Sequence, residues 1–360
     1  MKRVCFLIGD ISRTGGTERV TVVIANALVH CGFDVSIISV SNGLRANFQL
    51  DPKVTLFSLH MQSYSANLSD FRILFRLRKI LLHRKFNVMI GSDTILSFYI
   101  IPAALGTITK VISWEHFHYF INVGDIFQRI RREVGRRMAV MFSDVVVTLT
   151  DRDRQQYLKQ LTCRSPLISI PNPRTIAHER RSFLNSKVVM AAGRLVSEKG
   201  FNLLLAAWAL VKPFDMGWRL RIVGSGPDEL LLKSQAQALK VLEFVDFIPH
   251  SDDIGRQYET ASIFVCSSLF EGFGLVLVEA KSFGLPIVSF DCDCGPSAIV
   301  RDGIDGVLVP KEDVDCLAIS LRSLMDNEQL MQKYGQNAYD DRRFDLENIV
   351  PAWEQIILRC

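Results

Sequence analysis

Short apolar runs alternate with amphipathic segments along the whole chain. Apolar runs bounded by Gly, Pro, Asn or Asp predict strands, and an apolar repeat of about 3.6 residues predicts helices. In the first half we predict strands at 3–8, 35–40, 54–59, 88–90, 111–113, 145–149 and 167–170, and helices at 17–30, 69–84, 126–141 and 151–161. This alternation is typical of βαβ units and parallel sheets.

A second series begins after Ile170-Pro171-Asn172-Pro173, where two prolines end regular structure. We predict strands at 187–190, 219–223, 244–247, 263–267, 287–290 and 307–309, and helices at 275–283, 314–325, 329–339 and 346–358. The sequence therefore predicts an α/β protein with two doubly wound, Rossmann-like domains facing a central cleft. Ligands of such folds bind at the carboxyl ends of the strands.

Composition narrows the class of protein. A length of 360 residues with 48% hydrophobic and 22% charged residues fits two globular domains. The longest uncharged run, 94–109, is shorter than a spanning helix needs, so we predict no transmembrane segment. The first apolar run, 4–8, is too short for a signal peptide. Eight scattered cysteines without a C-x-x-C pair predict reduced thiols in a cytoplasmic protein.

Charge is divided unevenly, because residues 1–170 carry a net +10 and residues 171–360 a net −6. The basic half is expected to face an anionic partner. One predicted helix carries Arg72, Arg76, Lys79, His83 and Arg84 beside apolar residues, and another carries Arg129, Arg131, Arg132, Arg136 and Arg137. Basic apolar helices are typical of anionic membrane surfaces, although a solvated helix face explains them equally well. Without a nucleic-acid-reading motif, we expect no nucleic-acid partner.

The most informative segment is 271–280, EGFGLVLVEA, between a predicted strand and a predicted helix. Gly272 and Gly274 allow a ligand to approach the backbone, and the free N–H groups of the helix start favour an anion. Glu271 lies in the turn and Glu279 in the second helical turn. Helical side chains lean towards the N-terminus, so both carboxylates are expected to point into one crevice. Taken singly, each also fits an ordinary polar loop or helix position.

This segment resembles the E-x7-E signature of the retaining glycosyltransferases of family 4, which have the GT-B fold. The resemblance implies that Glu271 contacts hydroxyls of a donor sugar and that Glu279 holds the ribose hydroxyls of its nucleotide. The donor-binding segment also includes Gly272, Phe273, Gly274 and Leu275.

The same resemblance predicts the roles of the domains. Residues 1–173 are expected to bind the acceptor and residues 174–345 the nucleotide sugar. The last segment, 346–360, is expected to pack back on the first domain as a helix.

Two cations follow the first strand of the second domain. Arg194 suits bidentate phosphate binding and Lys199 is a point charge, so together they suit a diphosphate, although a solvated loop fits as well. The family has an Arg and a Lys with this spacing, which are thought to stabilise the departing nucleotide in place of a metal. Gly15 and Gly16, before the first helix, resemble the family's N-terminal glycine loop, which faces the diphosphate.

Other strand-end loops carry weaker signals. In Trp114-Glu115-His116-Phe117-His118, the family's His near the anomeric carbon corresponds to His116, with His118 as the alternative. The loops 224–227 and 295–297 also resemble family loops, but Ala298 stands where the family usually has Glu.

Two D-x-D patterns raise the question of a metal. Asp151 and Asp153 are explained by helix capping with Thr150, and Asp291 and Asp293 have no assigned role. Because further ligands are missing near either pair, no metal site is predicted.

Together these features predict a retaining, metal-independent glycosyltransferase without a cofactor. It would move a hexosyl unit from a nucleotide sugar, which we expect to be a UDP-sugar, to a saccharide acceptor. The basic, apolar first domain favours a lipid-linked acceptor at the cytoplasmic face of a bacterial membrane, in O-antigen, capsule or exopolysaccharide assembly. Arg194, Lys199, Glu271 and His116 are the predicted catalytic residues.

Three alternatives remain open at this point. A nucleotide-sugar epimerase can share the fold, and a non-catalytic protein can bind nucleotide sugars. A tandem dinucleotide-binding oxidoreductase also fits the α/β pattern, but the G-x-G-x-x-G fingerprint is missing.

Overall fold

A computed structural model describes residues 1–41, 45–61, 71–120, 126–176, 181–212, 217–249 and 253–360. The predicted helical residues 69–70 lie outside these segments. The chain forms two compact units, Met1–Thr175 with Arg343–Cys360 (unit 1) and Ile176–Arg342 (unit 2). It therefore passes from unit 1 to unit 2 once and returns once.

Unit 1 is built on a seven-stranded parallel sheet in the order β3-β2-β1-β4-β5-β6-β7. The strands are β1 Arg3–Ile8, β2 Asp34–Ser41, β3 Thr55–Met61, β4 Val88–Ser92, β5 Lys110–Trp114, β6 Val145–Thr148 and β7 Leu167–Ser169. The helices are α1 Gly16–His30, α2 Phe71–Arg84, α3 Ser97–Ala104, α4 Ile126–Phe142, α5 Asp151–Gln160 and, from the end of the chain, α13 Leu346–Arg359.

Unit 2 repeats the plan with a six-stranded parallel sheet in the order β10-β9-β8-β11-β12-β13. The strands are β8 Val188–Ala192, β9 Arg219–Val223, β10 Val245–Ile248, β11 Ile263–Cys266, β12 Ile287–Asp291 and β13 Gly306–Pro310. The helices are α6 Phe201–Val211, α7 Glu229–Ala238, α8 Ile254–Glu259, α9 Leu275–Ser282, α10 Pro296–Ile299, α11 Val314–Asp326 and α12 Glu328–Tyr339.

Both sheets reverse their winding direction between two neighbouring strands, β1 and β4 in unit 1 and β8 and β11 in unit 2. The predicted α/β fold of two doubly wound domains is confirmed. In such sheets, ligands bind where the winding reverses, beyond the carboxyl ends of the strands. In unit 2 the loop at 193–200 follows β8, and the segment at 267–274 follows β11. The two predicted donor-binding segments therefore come from adjacent strands.

Several helices were not predicted, most clearly α3 and α6. Their sequences, SFYIIPAA and FNLLLAAWALV, are apolar on nearly every side. A helix buried on all faces has no polar stripe to mark its period, so the sequence pattern did not distinguish these helices from other buried segments.

The final helix, α13, belongs to the core of unit 1. Trp353 is fully buried, and its ring centroid lies 4.7 Å from that of Trp114 on β5. The Lys2 ammonium donates to the Leu358 carbonyl at 2.9 Å near the end of the helix. Among the helices of the described segments, none combines the length and the apolar character needed to cross a membrane.

Helix α4 overturns one prediction, that its arginines form a basic surface. Arg131, Arg132 and Arg136 are buried, whereas Arg129 and Arg137 are exposed. The physical reason is that acidic groups lie beneath this helix. Arg132 pairs with Asp93 at 2.9 Å, and Arg136 pairs with Glu115 at 3.4 Å. The outward side of α4 instead carries the exposed apolar residues Ile126, Phe127, Ile130 and Val134.

Candidate active site

The two donor-binding segments of unit 2 are joined through their backbones. Ser267 Oγ donates to the Lys199 carbonyl at 2.9 Å, and the Leu269 N–H donates to the Glu198 carbonyl at the same distance. Gly200 makes this approach possible, because a Cβ there would lie 2.1 Å from the Ser267 oxygen and its φ is +60°. The loop after β8 and the segment after β11 therefore form one surface.

Lys199 and Glu271 contact each other directly across this surface. Lys199 Nζ lies 2.5 Å from Glu271 Oε1, which also accepts a hydrogen bond from Ser268 Oγ at 2.7 Å. Burial opposes the charge on Lys199, but the Glu271 carboxylate outweighs it and raises the pKa of Lys199 above its ordinary value. Lys199 is therefore a cation at neutral pH, and Glu271 is a charge-compensated carboxylate rather than an isolated one.

Glu279 is held at a second position on the same segment. Gly274, with a φ of +95°, begins α9, and Glu279 follows in the second turn of that helix. Its side chain is buried, and its Oε2 accepts a hydrogen bond from Tyr258 Oη at 2.9 Å. The Tyr258 ring stacks on Phe283 at 5.4 Å, which fixes the hydroxyl. A buried carboxylate requires a partner, but the sequence pattern did not identify Tyr258 as that partner.

Arg194 lies in the same loop as Lys199 but is exposed to solvent. No ion pair with Arg194 is found in the described part of the chain. Its guanidinium is thus available to an anionic ligand, whereas the Lys199 ammonium already has a carboxylate partner.

In unit 1, Gly15 and Gly16 begin α1 as predicted, and Gly15 is its N-cap. A Cβ at Gly15 would lie 2.3 Å from an oxygen of the Glu18 carboxylate, so this helix start is close to an acidic group of its own. Burial raises the pKa of Glu18. An anion bound at these amides would have to accommodate the Glu18 side chain.

The two candidate histidines have different ring contacts in the structure. The His116 ring centroid lies 4.2 Å from that of Trp114, and its buried Nε2 has no hydrogen-bond partner among the described residues. His118 Nδ1 instead accepts a hydrogen bond from the Phe120 N–H at 3.1 Å. Burial lowers the pKa of His116 to about 3, so its imidazole is neutral at physiological pH. His116 therefore combines a neutral imidazole with a ring nitrogen that the described residues leave unused, and its choice over His118 stays a prediction from the sequence.

The two D-x-D pairs have structural contacts. Asp153 N–H donates to Thr150 Oγ1 at 3.1 Å, which confirms the predicted helix cap. Asp293 lies 3.9 Å from the Lys311 ammonium, which in turn lies 4.2 Å from the centre of the Phe270 ring. These contacts do not assign a role to Asp291.

Two family models match the chain, one in each half. The model described as Glycosyltransferase Family 4 matches residues 14–176, and the model described as Glycosyl transferases group 1 matches residues 174–341. A Haemophilus influenzae protein described as an uncharacterized glycosyltransferase is 33% identical over 359 residues, covering 99% of this chain and 100% of its own length. The chain belongs to the family 4 glycosyltransferases.

Further relatives of this glycosyltransferase have more specific names. A Campylobacter jejuni protein named as an α-1,4-N-acetyl-D-galactosaminyltransferase acting on a diNAcBac-PP-undecaprenol saccharide is 28% identical, over 99% of this chain and 98% of its own. An Erwinia amylovora protein named as an amylovoran biosynthesis glycosyltransferase is 26% identical, over 99% of this chain and 100% of its own.

Solved structures confirm the GT-B fold. Anabaena HepE, crystallised with UDP and glucose, is 16% identical with a TM-score of 0.81 over 100% of both chains. The sucrose-phosphate synthase of Thermosynechococcus elongatus is also 16% identical, with a TM-score of 0.86 over 100% of this chain and 99% of its own.

The depressed pKa of His116 predicts a pH dependence of stability. Below about pH 6.5 the unfolded imidazole binds a proton, whereas the folded one binds it only near pH 3, so acid favours the unfolded state. As the pH falls from about 7 to about 5, protonation of His116 in the unfolded state should lower the free energy of unfolding of the wild type by about 2 kcal/mol. In His116→Gln this contribution should disappear, as measured by urea unfolding at several pH values. An equal loss of unfolding free energy in the wild type and in His116→Gln over this pH range would contradict the prediction.

Proposed function

We propose that this glycosyltransferase is a retaining enzyme that transfers a hexosyl unit from a nucleotide sugar to a saccharide acceptor in bacterial surface-polysaccharide assembly. The observation that carries the proposal is the Lys199–Glu271 contact, which places a cation suited to phosphate and a carboxylate suited to sugar hydroxyls 2.5 Å apart. The relatives named for amylovoran and for an undecaprenol-linked saccharide support the setting. A UDP-sugar is the proposed donor.

The proposed leaving group is the nucleoside diphosphate. Negative charge grows on it as the glycosidic bond breaks, and fixed donors stabilise that charge in the transition state. Arg194 is exposed for bidentate binding, and Lys199 keeps its proton beside Glu271. The amides at Gly15 and Gly16 are proposed to add to this charge stabilisation. In this mechanism the two cations neutralise the diphosphate, and the reaction needs no metal.

Glu271 is proposed to position the donor sugar. Its Oε1 accepts from Lys199 and Ser268, whereas Oε2 has no hydrogen bond from the described residues and is available to a sugar hydroxyl. A carboxylate in contact with an ammonium is a weaker nucleophile than an unpaired one. We therefore propose front-face displacement, in which the acceptor hydroxyl enters on the side that the diphosphate leaves and no covalent enzyme intermediate forms.

The remaining donor contacts are proposed from Glu279, His116 and the turn at 272–275. Tyr258 Oη already donates a hydrogen bond to Oε2 of Glu279. A ribose diol would donate to the same carboxylate. The neutral imidazole of His116 is proposed to hydrogen-bond a hydroxyl of the donor sugar, because Nε2 is unused among the described residues.

The first test is a screen of nucleotide-sugar donors with saccharide-lipid extracts, read out as UDP release and product structure. Arg194→Ala and Lys199→Ala should each lower turnover by about 10²-fold, because each removes a donor that stabilises the leaving group. Lys333→Ala, at an exposed position on α12, is the control and should leave turnover unchanged.

The screen also separates the alternatives. An isomerised donor without an acceptor requirement would identify an epimerase, and tight donor binding without any product would identify a binding protein. Wild-type turnover in both cation variants would overturn the proposed role of this loop.

We also propose that the enzyme works as a peripheral protein at the cytoplasmic face of the cell membrane, on a lipid-linked acceptor. Helix α2 exposes Arg72, Arg76, Lys79, His83 and Arg84 together with the apolar residues Phe75 and Leu82. Arg76 and Arg84 also have protein contacts, with the Leu59 carbonyl and the Phe57 ring respectively. An apolar face among basic residues suits an anionic bilayer surface.

This proposal predicts binding to vesicles that contain anionic lipid. Arg72→Ser with Lys79→Ser should reduce partitioning about 30-fold, since each cation near such a surface contributes about 1 kcal/mol. Added salt should also weaken the binding of the wild type, because it screens the attraction between the cations and the anionic lipid. Phe75→Ser should also reduce partitioning, because it removes an exposed apolar side chain of α2, and Leu230→Ser, which changes an exposed apolar residue of unit 2, is its control. Equal sedimentation of wild type and the double variant at low salt would remove α2 from the proposal.

A further inference from the structure

The loop that carries His116, residues 115–120, is fixed by one buried guanidinium. Arg136 Nη1 donates to the Tyr119 carbonyl at 2.6 Å, and Nη2 donates to the His118 carbonyl at 3.0 Å. Its Nε donates to Glu115 Oε2 at 3.4 Å. One side chain of α4 therefore holds this loop, which we call the His116 loop, on both sides of His116.

Glu115 gathers further donors at the start of the loop. Its Oε2 accepts from Thr94 Oγ1 at 2.7 Å and from Tyr157 Oη, and its Oε1 accepts from the Phe117 N–H at 2.9 Å. Burial alone would raise the pKa of Glu115, but Arg136, Arg132 and the two hydroxyl donors lower it. The carboxylate is thus charged and pinned on both oxygens.

The end of the His116 loop has anchors of its own. The Tyr119 N–H donates to Asp153 Oδ1 at 2.8 Å, so the capped start of α5 holds the loop as well. Arg132 lies 4.3 Å from the centre of the Phe117 ring while its guanidinium pairs with Asp93 at 2.9 and 3.1 Å. The other five residues of the loop each contact one of these groups or another loop residue, whereas the His116 ring lies against Trp114, just before the loop.

This arrangement is more specific than stability requires. A buried ion pair can often be replaced by apolar side chains without loss of stability, so burial of Arg136 needs another reason. Its three donating nitrogens are used on the residues flanking His116, and a lysine at the same position has only one nitrogen. Such a network fixes the imidazole in place, and misplacing a positioning group by about 1 Å can cost about 10²-fold in rate.

We propose that Arg136 is a positioning residue that sets the His116 imidazole for donor binding, through the Glu115, His118 and Tyr119 contacts. This inference rests on the role of His116 in the proposed function. It also gives a reason for the inward position of Arg136 on α4. Arg136 does not act on the donor itself.

A double-mutant cycle on turnover tests whether Arg136 acts through His116. Arg136→Lys should lower kcat about tenfold or more in the wild-type background. In His116→Ala it should lower kcat by less than about twofold, because the group being positioned is already gone. Arg137→Lys is the matched control, since Arg137 is exposed on the same helix and pairs only with Glu133 among the described residues. An equal loss in both backgrounds would overturn the inference.

A second readout does not depend on turnover. In NMR titrations, with the signal assigned by its loss in His116→Ala, the wild-type imidazole should stay neutral above about pH 5. In Arg136→Lys, and in the milder Tyr157→Phe, which removes only the hydroxyl, its pKa should move toward its ordinary value of about 6.5 as the loop loosens. Unchanged His116 signals in both variants would overturn the positioning itself.

The two readouts separate this inference from the proposed function. Wild-type turnover in His116→Ala would overturn the role of His116 in donor binding, and with it any effect of Arg136 on turnover. A shifted His116 signal in the NMR titration of Arg136→Lys would still confirm that Arg136 fixes the loop.

Discussion

The contact between Lys199 and Glu271 is the constraint on which the account of unit 2 depends. It joins the ends of β8 and β11, the two strands between which the sheet reverses its winding. Opposite charges at 2.5 Å in a partly buried site fix both side chains, and the carboxylate raises the pKa of Lys199. The same pair also determines the chemistry, because the ammonium reduces the nucleophilic character of the carboxylate and leaves it suited to hydrogen bonding.

Unit 1 uses buried charge in a related way but for a different purpose. Glu115 and Asp93 are compensated by Arg136 and Arg132, and Arg136 donates to three residues of the loop around His116. The histidine itself stays neutral and retains an unused nitrogen among the described residues. In both units, then, charged groups are placed to hold a neighbouring polar group in a fixed geometry.

Much of the fold followed from the sequence, because β-strands with Gly-rich ends and amphipathic helices have local signatures. The E-x7-E segment and the Arg194/Lys199 loop were identified from motifs that combine charge with glycine turns. Two features had no local signature. Pairing Lys199 with Glu271 requires knowing that β8 and β11 are neighbours, and the choice of Tyr258 as partner of Glu279 depends on how α8 packs.

The arginines of α4 show most clearly what could not be predicted from the sequence alone. A helix rich in arginine predicts a solvent-exposed or membrane-facing surface, yet Arg131, Arg132 and Arg136 are buried. Their partners, Asp93, Glu115 and Tyr99, lie far away in the sequence, so the helix alone does not reveal which side is buried. A helix with one apolar and one cationic face can bury either face. The sequence of α4 alone therefore did not predict that its apolar residues would lie outward.

Calorimetric titration of UDP and UMP tests the central claim most directly, because the two ligands differ by the phosphate that the cations of unit 2 are proposed to bind. Charged hydrogen bonds to that phosphate predict that UDP binds about tenfold to a hundredfold more tightly than UMP. The ratio should fall toward one in Arg194→Ala. Equal affinities for the two nucleotides in the wild type, or a ratio that Arg194→Ala leaves intact, would contradict the account.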